Sequence, residues 1–405
     1  MSESKLCARY DLDFIPIQDG GEEMILVRDH LGLAPEGLAL PPEILHMLSL
    51  LDGTRTRDDL QVEIIRLQGG QIVNLAEVDY LVRQLDEAFL LESEAFLAAR
   101  QELEAAFAAA PVRQAALAGQ AYPEGKEDLE GFLDDILTTQ PPFEADGRVA
   151  ALAAPHIDPG LGEKVYARAY RALLREKPSR VIILGVGHQI DQGLFSLTSK
   201  DFQTPLGLLA TDAEAVARLA LAGKDVAAPT DFYHRQEHSI EFQAIFLQHV
   251  LRARPFAILP VLCGSLMALP EYSREAYLDI AGKFLATLRE ILLDPEHETL
   301  LVAGVDLSHI GPKFGHAEDA SALERGASAH DRALLTHLTR QAPEQFWEES
   351  ARESDRFNVC GFSALACLLE ILPPCRGLVL DYALWREEPT RSAVSFAATV
   401  FTAEA

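Results

Sequence analysis

A chain of 405 residues, of which 48% are hydrophobic and 24% charged, has enough apolar material for more than one core, so two domains are expected. Its 62 acidic side chains outnumber the 35 basic ones, and the net charge of −27 opposes binding to nucleic acid and to anionic membranes. The sequence shows neither an apolar run of the roughly 20 residues that span a bilayer nor a secretion signal, which predicts a cytoplasmic protein without membrane contact.

The N-terminal region is predicted to form a small winged-helix domain over residues 1–110. Apolar residues at helical spacing indicate three helices, and FLLESEAFL at 89–97 is interpreted as the strand pair of a wing. The domain ends in the Ala-rich segment 105–125, which two prolines interrupt. The predicted helices are PPEILHMLSLLDG at 41–53, RDDLQVEIIRLQ at 57–68 and NLAEVDYLVRQLDEAF at 74–89.

This region loosely resembles the PqqD-like domains, which recognise leader peptides. The resemblance is carried by Ile44, Leu48, LLDGTRT at 50–56 and LVRQLDEAFLL at 81–91. Winged helices that bind DNA use a basic recognition helix, whereas residues 1–105 hold 21 acidic and only 8 basic side chains. A peptide or protein partner is therefore expected here, and the alternative is a domain that only packs against the rest of the chain.

Residues 111–405 are predicted to form a layered α/β domain, because short apolar runs suited to buried strands alternate with helical segments. In such sheets, functional groups gather beyond the carboxyl ends of the strands. The predicted strands are RVAALAAPH at 148–156, RVIILGVGHQ at 180–189, FAILPVLCG at 256–264, TLLVAGVDLSH at 299–309 and RGLVLDYAL at 376–384.

Polar residues follow several of these runs. One histidine at the end of a buried strand is often a hydrogen-bonded structural residue, but a joint occurrence favours a functional site. Imidazole and thiolate donors together favour iron, copper or zinc over magnesium or calcium. The residues concerned are His156 and Asp158, His188, the group Glu237, His238 and Glu241, the group Asp306, Ser308 and His309, and Cys360 at a predicted helix N-terminus.

From residue 118 to its end the chain resembles the Memo family, whose bacterial form is called AmmeMemoRadiSam system protein B. The motifs are APH at 154–156, ILGxxH at 183–188, EHSIE at 237–241, VxxDxxHxG at 302–311 and CG at 360–361. The resemblance implies that His156, His188 and Cys360 are metal ligands. It also implies that Asp306 and His309 line the same pocket, and we add His238 of the EHSIE motif to these candidate catalytic residues.

The family's fold is similar to that of the class III extradiol dioxygenases, in which two histidines and a carboxylate hold Fe(II) and another histidine moves protons. His309 matches the proton-moving residue, and Asp306 is expected to orient an imidazole. A thiolate from Cys360 replaces the carboxylate ligand, so ring cleavage is not simply inherited. The resemblance implies an iron or copper site, with zinc as a further option.

Two functions remain open at this point. One is an oxidoreductase acting on a small phenolic or redox-active substrate, and the other is a non-catalytic scaffold that holds metal or peptide in a radical SAM-associated system. Glu237 and Glu241 are alternatively read as a helix cap and a salt bridge. Cys360 is expected to be a thiolate stabilised by the helix N-terminus. His234 is expected at the surface, and the alternative is that it approaches the pocket, because it precedes the EHSIE motif.

Overall fold

The computed structural model describes residues 5–67, 69–141, 143 and 147–403. Gln68, the last residue of the second predicted helix, and the outer ends of both predicted domains lie outside this range. The chain divides into two compact units, one running to Ala109 and including Glu388–Thr390, the other comprising Ala110–Glu387 and the residues from Arg391 onward. Among the described residues, none of the helices has the length and apolar character needed to cross a membrane.

The first unit begins with an antiparallel hairpin. Its strands pair up to Asp19 opposite Glu22, and Gly20 and Gly21 between them have φ of +58° and +91°. Positive φ at both central residues is what a two-residue type I′ turn requires. The three predicted helices follow and are present. The elements are β1 (Leu12–Asp19), β2 (Glu22–Asp29), β3 (Ala39–Leu40), α1 (Glu43–Leu50), α2 (Arg57–Leu67), α3 (Leu75–Glu87) and α4 (Glu94–Ala109).

The strand pair predicted at 89–97 is wrong. Leu91 makes a single bridge to Ala8, and the chain then enters α4, where the Ser93 hydroxyl accepts a hydrogen bond from the backbone N–H of Phe96 at 3.2 Å. Phe96 and Phe107 are both buried, and their eleven-residue spacing places them on one helix face about three turns apart. Helical periodicity therefore overrides the local strand propensity of this segment.

The second unit is built on a large mixed sheet, and all five strands predicted for it are present. Four neighbouring strands, in the order β5-β11-β6-β10, run parallel. Antiparallel strands extend the sheet on both sides. The strands of the whole second unit, of which β4, β8 and β9 lie outside the large sheet, are β4 (Val112–Arg113), β5 (Val149–Ala154), β6 (Arg180–Val186), β7 (Phe195–Leu197), β8 (Asp201–Thr204), β9 (Gly207–Leu209), β10 (Ala257–Cys263), β11 (Thr299–Gly304), β12 (His309–Ile310), β13 (Cys375–Glu387) and β14 (Ser392–Ala403).

Helices cover both faces of this sheet. Alternate residues of β6 enter two separate apolar clusters, Ile182 and Leu184 on one face and Val181 and Ile183 on the other. Helices α7, α9 and α12 contribute to the first cluster, and α5, α6 and α8 to the second, which gives the predicted layered α/β architecture. The helices are α5 (Lys126–Thr138), α6 (Glu163–Arg171), α7 (Ala213–Ala222), α8 (His238–Val250), α9 (Arg274–Leu292), α10 (Ala320–Thr339), α11 (Pro343–Glu353) and α12 (Phe362–Ile371).

Two glycines allow α8 to approach the ends of the parallel strands closely. A Cβ built on Gly304 would clash with the Ser239 carbonyl oxygen, and one on Gly185 would lie 2.6 Å from the Ser239 hydroxyl. The first turn of α8 therefore rests directly on the backbone of β6 and β11. This contact brings the EHSIE motif to the carboxyl edge of the sheet.

We predict that Gly304→Ala lowers the free energy of unfolding by about 1–3 kcal/mol, because the added methyl group must displace backbone. Gly131→Ala is the matched control, since Gly131 lies at an exposed position of α5 with no neighbour within 4 Å of its Cβ position. That change should stabilise the protein by up to about 1 kcal/mol through helix propensity. Urea denaturation of both variants measures the difference, and equal stabilities would refute the close-approach argument.

Candidate metal centre

His156 is held in one orientation by two hydrogen bonds. Its backbone N–H donates to Asp306 Oδ1 at 2.9 Å, and its Nδ1 lies 3.0 Å from the carbonyl oxygen of Gly304. Because a carbonyl oxygen only accepts, Nδ1 carries the hydrogen and Nε2 carries the lone pair. The residue is only 2% exposed, and burial, followed by the nearby His188, lowers its pKa to about 3. It is therefore a neutral imidazole with an available donor nitrogen.

His188 and His238 share one carboxylate. Glu237 is the N-cap residue of α8, and its two oxygens lie 3.1 Å from His188 Nδ1 while Oε1 lies 3.2 Å from His238 Nδ1. Burial opposes ionisation of Glu237, but the charge and hydrogen bond of His188 hold its pKa well below the usual range. The hydrogen bond between this carboxylate and His188 places hydrogen on Nδ1, so Nε2 carries the lone pair of that ring. The contact of His238 Nδ1 with the carboxylate is an ion-pair distance and not a hydrogen bond.

A fourth imidazole, that of His309, is also hydrogen-bonded to the protein through Nδ1. His309 Nδ1 lies 3.0 Å from the carbonyl oxygen of Leu307, so it also donates through Nδ1. Burial lowers the pKa of His309 to about 4 and that of His238 to about 3. The ring centroids of His156, His188 and His238 lie 4.9–5.0 Å apart. His156, His238 and His309 are thus neutral at pH 7. His156, His188 and His309 are hydrogen-bonded to the protein through Nδ1, as metal-binding histidines usually are.

Cys360 contributes a thiol to the cluster. Its Sγ lies 3.4 Å from His156 Nε2 and 3.6 Å from the carbonyl oxygen of Asp306, and it immediately precedes Gly361, the N-cap of α12. Burial raises the pKa of Cys360 well above its usual range, and the nearby Asp306 raises it further. The expected thiolate is therefore not produced by the helix N-terminus alone, because desolvation outweighs the helix dipole.

Three sequence-predicted residues meet at one point. The ligand atoms of His156, His188 and Cys360 all lie within 4.8 Å of one another, and the same holds for a second group of His188, Glu237 and His238. The cause is strand register, because Gly304 of β11 lies opposite the ends of β5 and β6. Residues that follow parallel strands in register emerge at the same sheet edge.

Asp306 contacts the backbone of His156 and not its Nδ1 atom. Its carboxylate accepts the backbone N–H of His156 and does not orient that imidazole, a role taken by the Gly304 carbonyl. Its Oδ2 lies 3.7 Å from His156 Nε2, on the pocket side of the ring. Burial raises the pKa of Asp306 to about 6, although the charge of His309 opposes this shift. Asp306 thus borders the cluster as a second weakly acidic group beside Cys360.

A buried network of hydrogen bonds around Arg113 was not predicted from the sequence. The Arg113 guanidinium donates to the carbonyl oxygens of His234 at 3.0 Å and Glu237 at 2.9 Å, and forms an ion pair with Glu241. Glu241 also accepts the Tyr122 hydroxyl and two backbone N–H groups. Both charged side chains are 1% exposed. The alternative interpretation of Glu241 as a salt-bridge residue describes this contact, but no local pattern identifies its distant partner Arg113.

His234 was expected at the surface, and that prediction is wrong. The residue is 1% exposed and its Nε2 has no hydrogen-bond partner among the described residues. Burial lowers its pKa to about 4, against the opposing effect of its bond to the Ser196 backbone. The Arg113 guanidinium donates a hydrogen bond to the His234 carbonyl oxygen, and this bond holds the turn before α8 inside the protein. His234 is buried for this reason.

The fold and cluster together define a layered α/β protein with a histidine–cysteine site at the carboxyl edge of its sheet. Residues 113–400 match the family model described as Memo-like protein. The chain is 31% identical over 394 residues to a MEMO1 family protein of Aquifex aeolicus, covering 96% of this chain and 98% of that relative. This chain belongs to the Memo family.

Other known proteins match a smaller share of this chain. A MEMO1 family protein of Thermus thermophilus is 30% identical over 347 residues, which are 84% of this chain and 97% of the relative. The family model begins at residue 113, whereas the Aquifex aeolicus alignment extends into the N-terminal unit because it covers nearly the whole chain. Uncharacterized protein JW3007 from Escherichia coli K12 aligns with 62% of this chain and 99% of its own at 12% identity, with a TM-score of 0.35.

We predict that His234 makes the protein sensitive to acid. In the unfolded chain His234 binds a proton below its ordinary pKa of 6.5, whereas in the folded protein it does so only near pH 4. The free energy of unfolding therefore falls by at most about 3 kcal/mol as the pH is lowered from 6.5 to 4. Unfolding free energies at pH 7 and pH 4.5 should differ less in His234→Gln than in the wild type. His297→Gln, at an exposed position, should keep the wild-type difference. If His234→Gln also kept it, His234 would not be the cause of the acid sensitivity.

Proposed function

We propose that this chain binds one iron or copper ion through His156, His188 and Cys360, a donor set that zinc would also accept. The observation that carries the proposal is the hydrogen bonding of the imidazoles. His156 donates its Nδ1–H to a carbonyl oxygen and His188 to a carboxylate. His156 Nε2 then faces the half-buried Cys360 thiol, and a ligand atom of His188 lies within 4.8 Å of both. Metal-ligating histidines use this arrangement to fix their tautomer and orientation.

We propose further that the site is that of an oxidoreductase for a small phenolic or redox-active substrate. A bound iron or copper ion would supply redox and Lewis-acid chemistry. His309, neutral and with Nδ1 bonded to Leu307, would accept the proton of a substrate hydroxyl at Nε2. The side chains of His188 and His238 are 29% and 34% exposed, so a small molecule could approach on their side, where His238 would bond a polar group of the substrate.

A non-catalytic scaffold in a radical SAM-associated system is the second candidate, and features of the N-terminal unit support it. Several large apolar side chains of that unit are exposed, among them Tyr10 at 73%, Ile72 at 86% and Tyr80 at 57%. Together with the acidic excess of this region, they favour a peptide or protein partner over DNA. In this alternative the metal would have a binding or structural role without turnover.

The experiment that tests the proposal is metal analysis of anaerobically purified protein, followed by oxygen-consumption assays with catechols. One equivalent of iron or copper with sustained oxygen uptake is the expected result. Stoichiometric metal without turnover would select the scaffold, and protein that binds none of these metals on reconstitution would refute the metal site itself.

We predict that Cys360→Ser weakens metal binding while leaving the stability of the metal-free protein nearly unchanged. Serine keeps the size but is a poor soft donor, so the loss should be greatest for Cu(I) and zinc and smaller for Fe(II). Cys367→Ser is the matched control, because Cys367 is fully buried in α12. It should retain metal and lose about 1–3 kcal/mol by burying a hydroxyl. Intact metal stoichiometry in Cys360→Ser would remove Cys360 from the ligand set.

We predict that His309→Ala keeps its metal but loses any proton-transfer activity, by roughly 10²–10⁴-fold in turnover. The measurement is metal content together with oxygen uptake. His316→Ala serves as the control, because that imidazole bonds the carbonyl oxygen of Arg356 between α11 and α12 and the variant should retain both properties. Loss of metal from His309→Ala would show that His309 is a ligand.

A further inference from the structure

Glu237 contacts more of the cluster than a helix cap requires. Besides capping α8 through the backbone N–H of Ser239 at 3.0 Å, it accepts the backbone N–H of His188 at 3.1 Å. It also lies against Nδ1 of both His188 and His238. Its side chain is 4% exposed, so water does not compete for these contacts. A capping role alone explains only the first of them.

We propose that Glu237 is a positioning residue that orients two imidazoles at once, the ligand His188 and the neighbouring His238, and this inference rests on the proposed metal-binding function. One carboxylate thereby fixes the tautomer of a residue that would hold the metal and of a residue that would face the substrate. Both rings then direct Nε2 away from the carboxylate and towards the cluster.

The arrangement of the two rings shows why an anion is needed. His188 and His238 are stacked, with centroids 4.9 Å apart and an interplanar angle of 10°. With hydrogen on both Nδ1 atoms, the two N–H groups point at the same carboxylate and their dipoles repel one another. A carboxylate at the shared positive end offsets that repulsion, and an uncharged acceptor would do so much less.

The backbone at Glu237 is itself fixed by buried contacts. The Arg113 guanidinium donates to the backbone carbonyl oxygen of Glu237 at 2.9 Å, and its ion pair with Glu241, one turn along α8, holds the guanidinium in place. The Glu237 carboxylate is held by the backbone N–H groups of Ser239 and His188, whose hydrogen bonds it accepts. Because all these partners belong to the protein, the position of Glu237 is set before any metal binds.

Glu237→Gln tests the inference, because an amide keeps the size but offers one accepting oxygen and an N–H₂ group that can only donate. In either orientation that group faces N–H donors, those of His188 at the Oε2 position or those of Ser239 and both rings at the Oε1 position. We therefore expect at least one of the two rings to change tautomer or rotate. We expect zinc affinity to fall by about 10–100-fold, as for loss of other partners that orient metal ligands. Glu237→Asp keeps the charge on a shorter side chain and should show a smaller loss.

Glu349→Gln is the matched control. Glu349 lies 3.1 Å from Nδ1 of His330, and both side chains are buried, at 5% and 3% exposure, but neither belongs to the cluster. Its replacement should lower stability without changing zinc affinity. All variants are titrated with zinc against a chromophoric chelator, and imidazole tautomers are read from long-range ¹H–¹⁵N spectra of the metal-free proteins.

The wild type should show Nδ1–H tautomers for His188 and His238, and Glu237→Gln should lose at least one of them together with its zinc affinity. Unchanged tautomers, or a zinc affinity within threefold of the wild type, would reduce Glu237 to a helix cap and overturn the inference. A wild type that binds no zinc, iron or copper would instead refute the proposed function, and the tautomer comparison would still decide the role of Glu237. Should Glu237→Gln not fold, Glu237→Asp supplies the same two measurements.

Discussion

The register of three neighbouring parallel strands is the constraint on which the site depends. Because Gly304 of β11 lies opposite both Ala154 of β5 and Gly185 of β6, the residues that follow these strands leave the sheet at one edge. His156, His188 and Asp306 are brought together in this way although they are far apart in sequence. A slip of one strand by a single residue would exchange its two faces and separate the cluster. The same register aligns the two glycines on which the first turn of α8 rests.

Burial acts on the cluster in two opposite directions. It lowers the pKa of His156 and His309 and raises the pKa of Asp306 and Cys360, because a poorly solvated site disfavours any charged form. Glu237 is the exception, since its neighbours His188 and His238 hold it ionised. At neutral pH the site thus places the uncharged nitrogen donors of His156 and His309 and the Cys360 thiol near the Glu237 carboxylate. A cation that replaces the thiol proton would meet donors already oriented for it.

Much of the second unit could be predicted from sequence, because its buried parallel strands are continuous apolar runs and its candidate ligands follow them directly. Strand β14 was missed because it consists largely of alanine, serine and threonine, yet it is buried along almost its whole length. The β1–β2 hairpin was missed although the DGG sequence at 19–21 is a strong turn signal. The dual contact of Glu237 and the long-range pairing of Arg113 with Glu241 depend on tertiary structure, for which local patterns carry no information.

The central claim is that two imidazoles and one thiolate bind the same ion, and X-ray absorption spectroscopy of the anaerobically purified, metal-loaded protein tests it most directly. The account predicts one sulfur scatterer at about 2.3 Å together with nitrogen scatterers at about 2.0–2.1 Å. It also predicts that the sulfur contribution disappears in Cys360→Ser but persists in Cys367→Ser. A metal shell composed only of nitrogen and oxygen in the wild type would contradict the account.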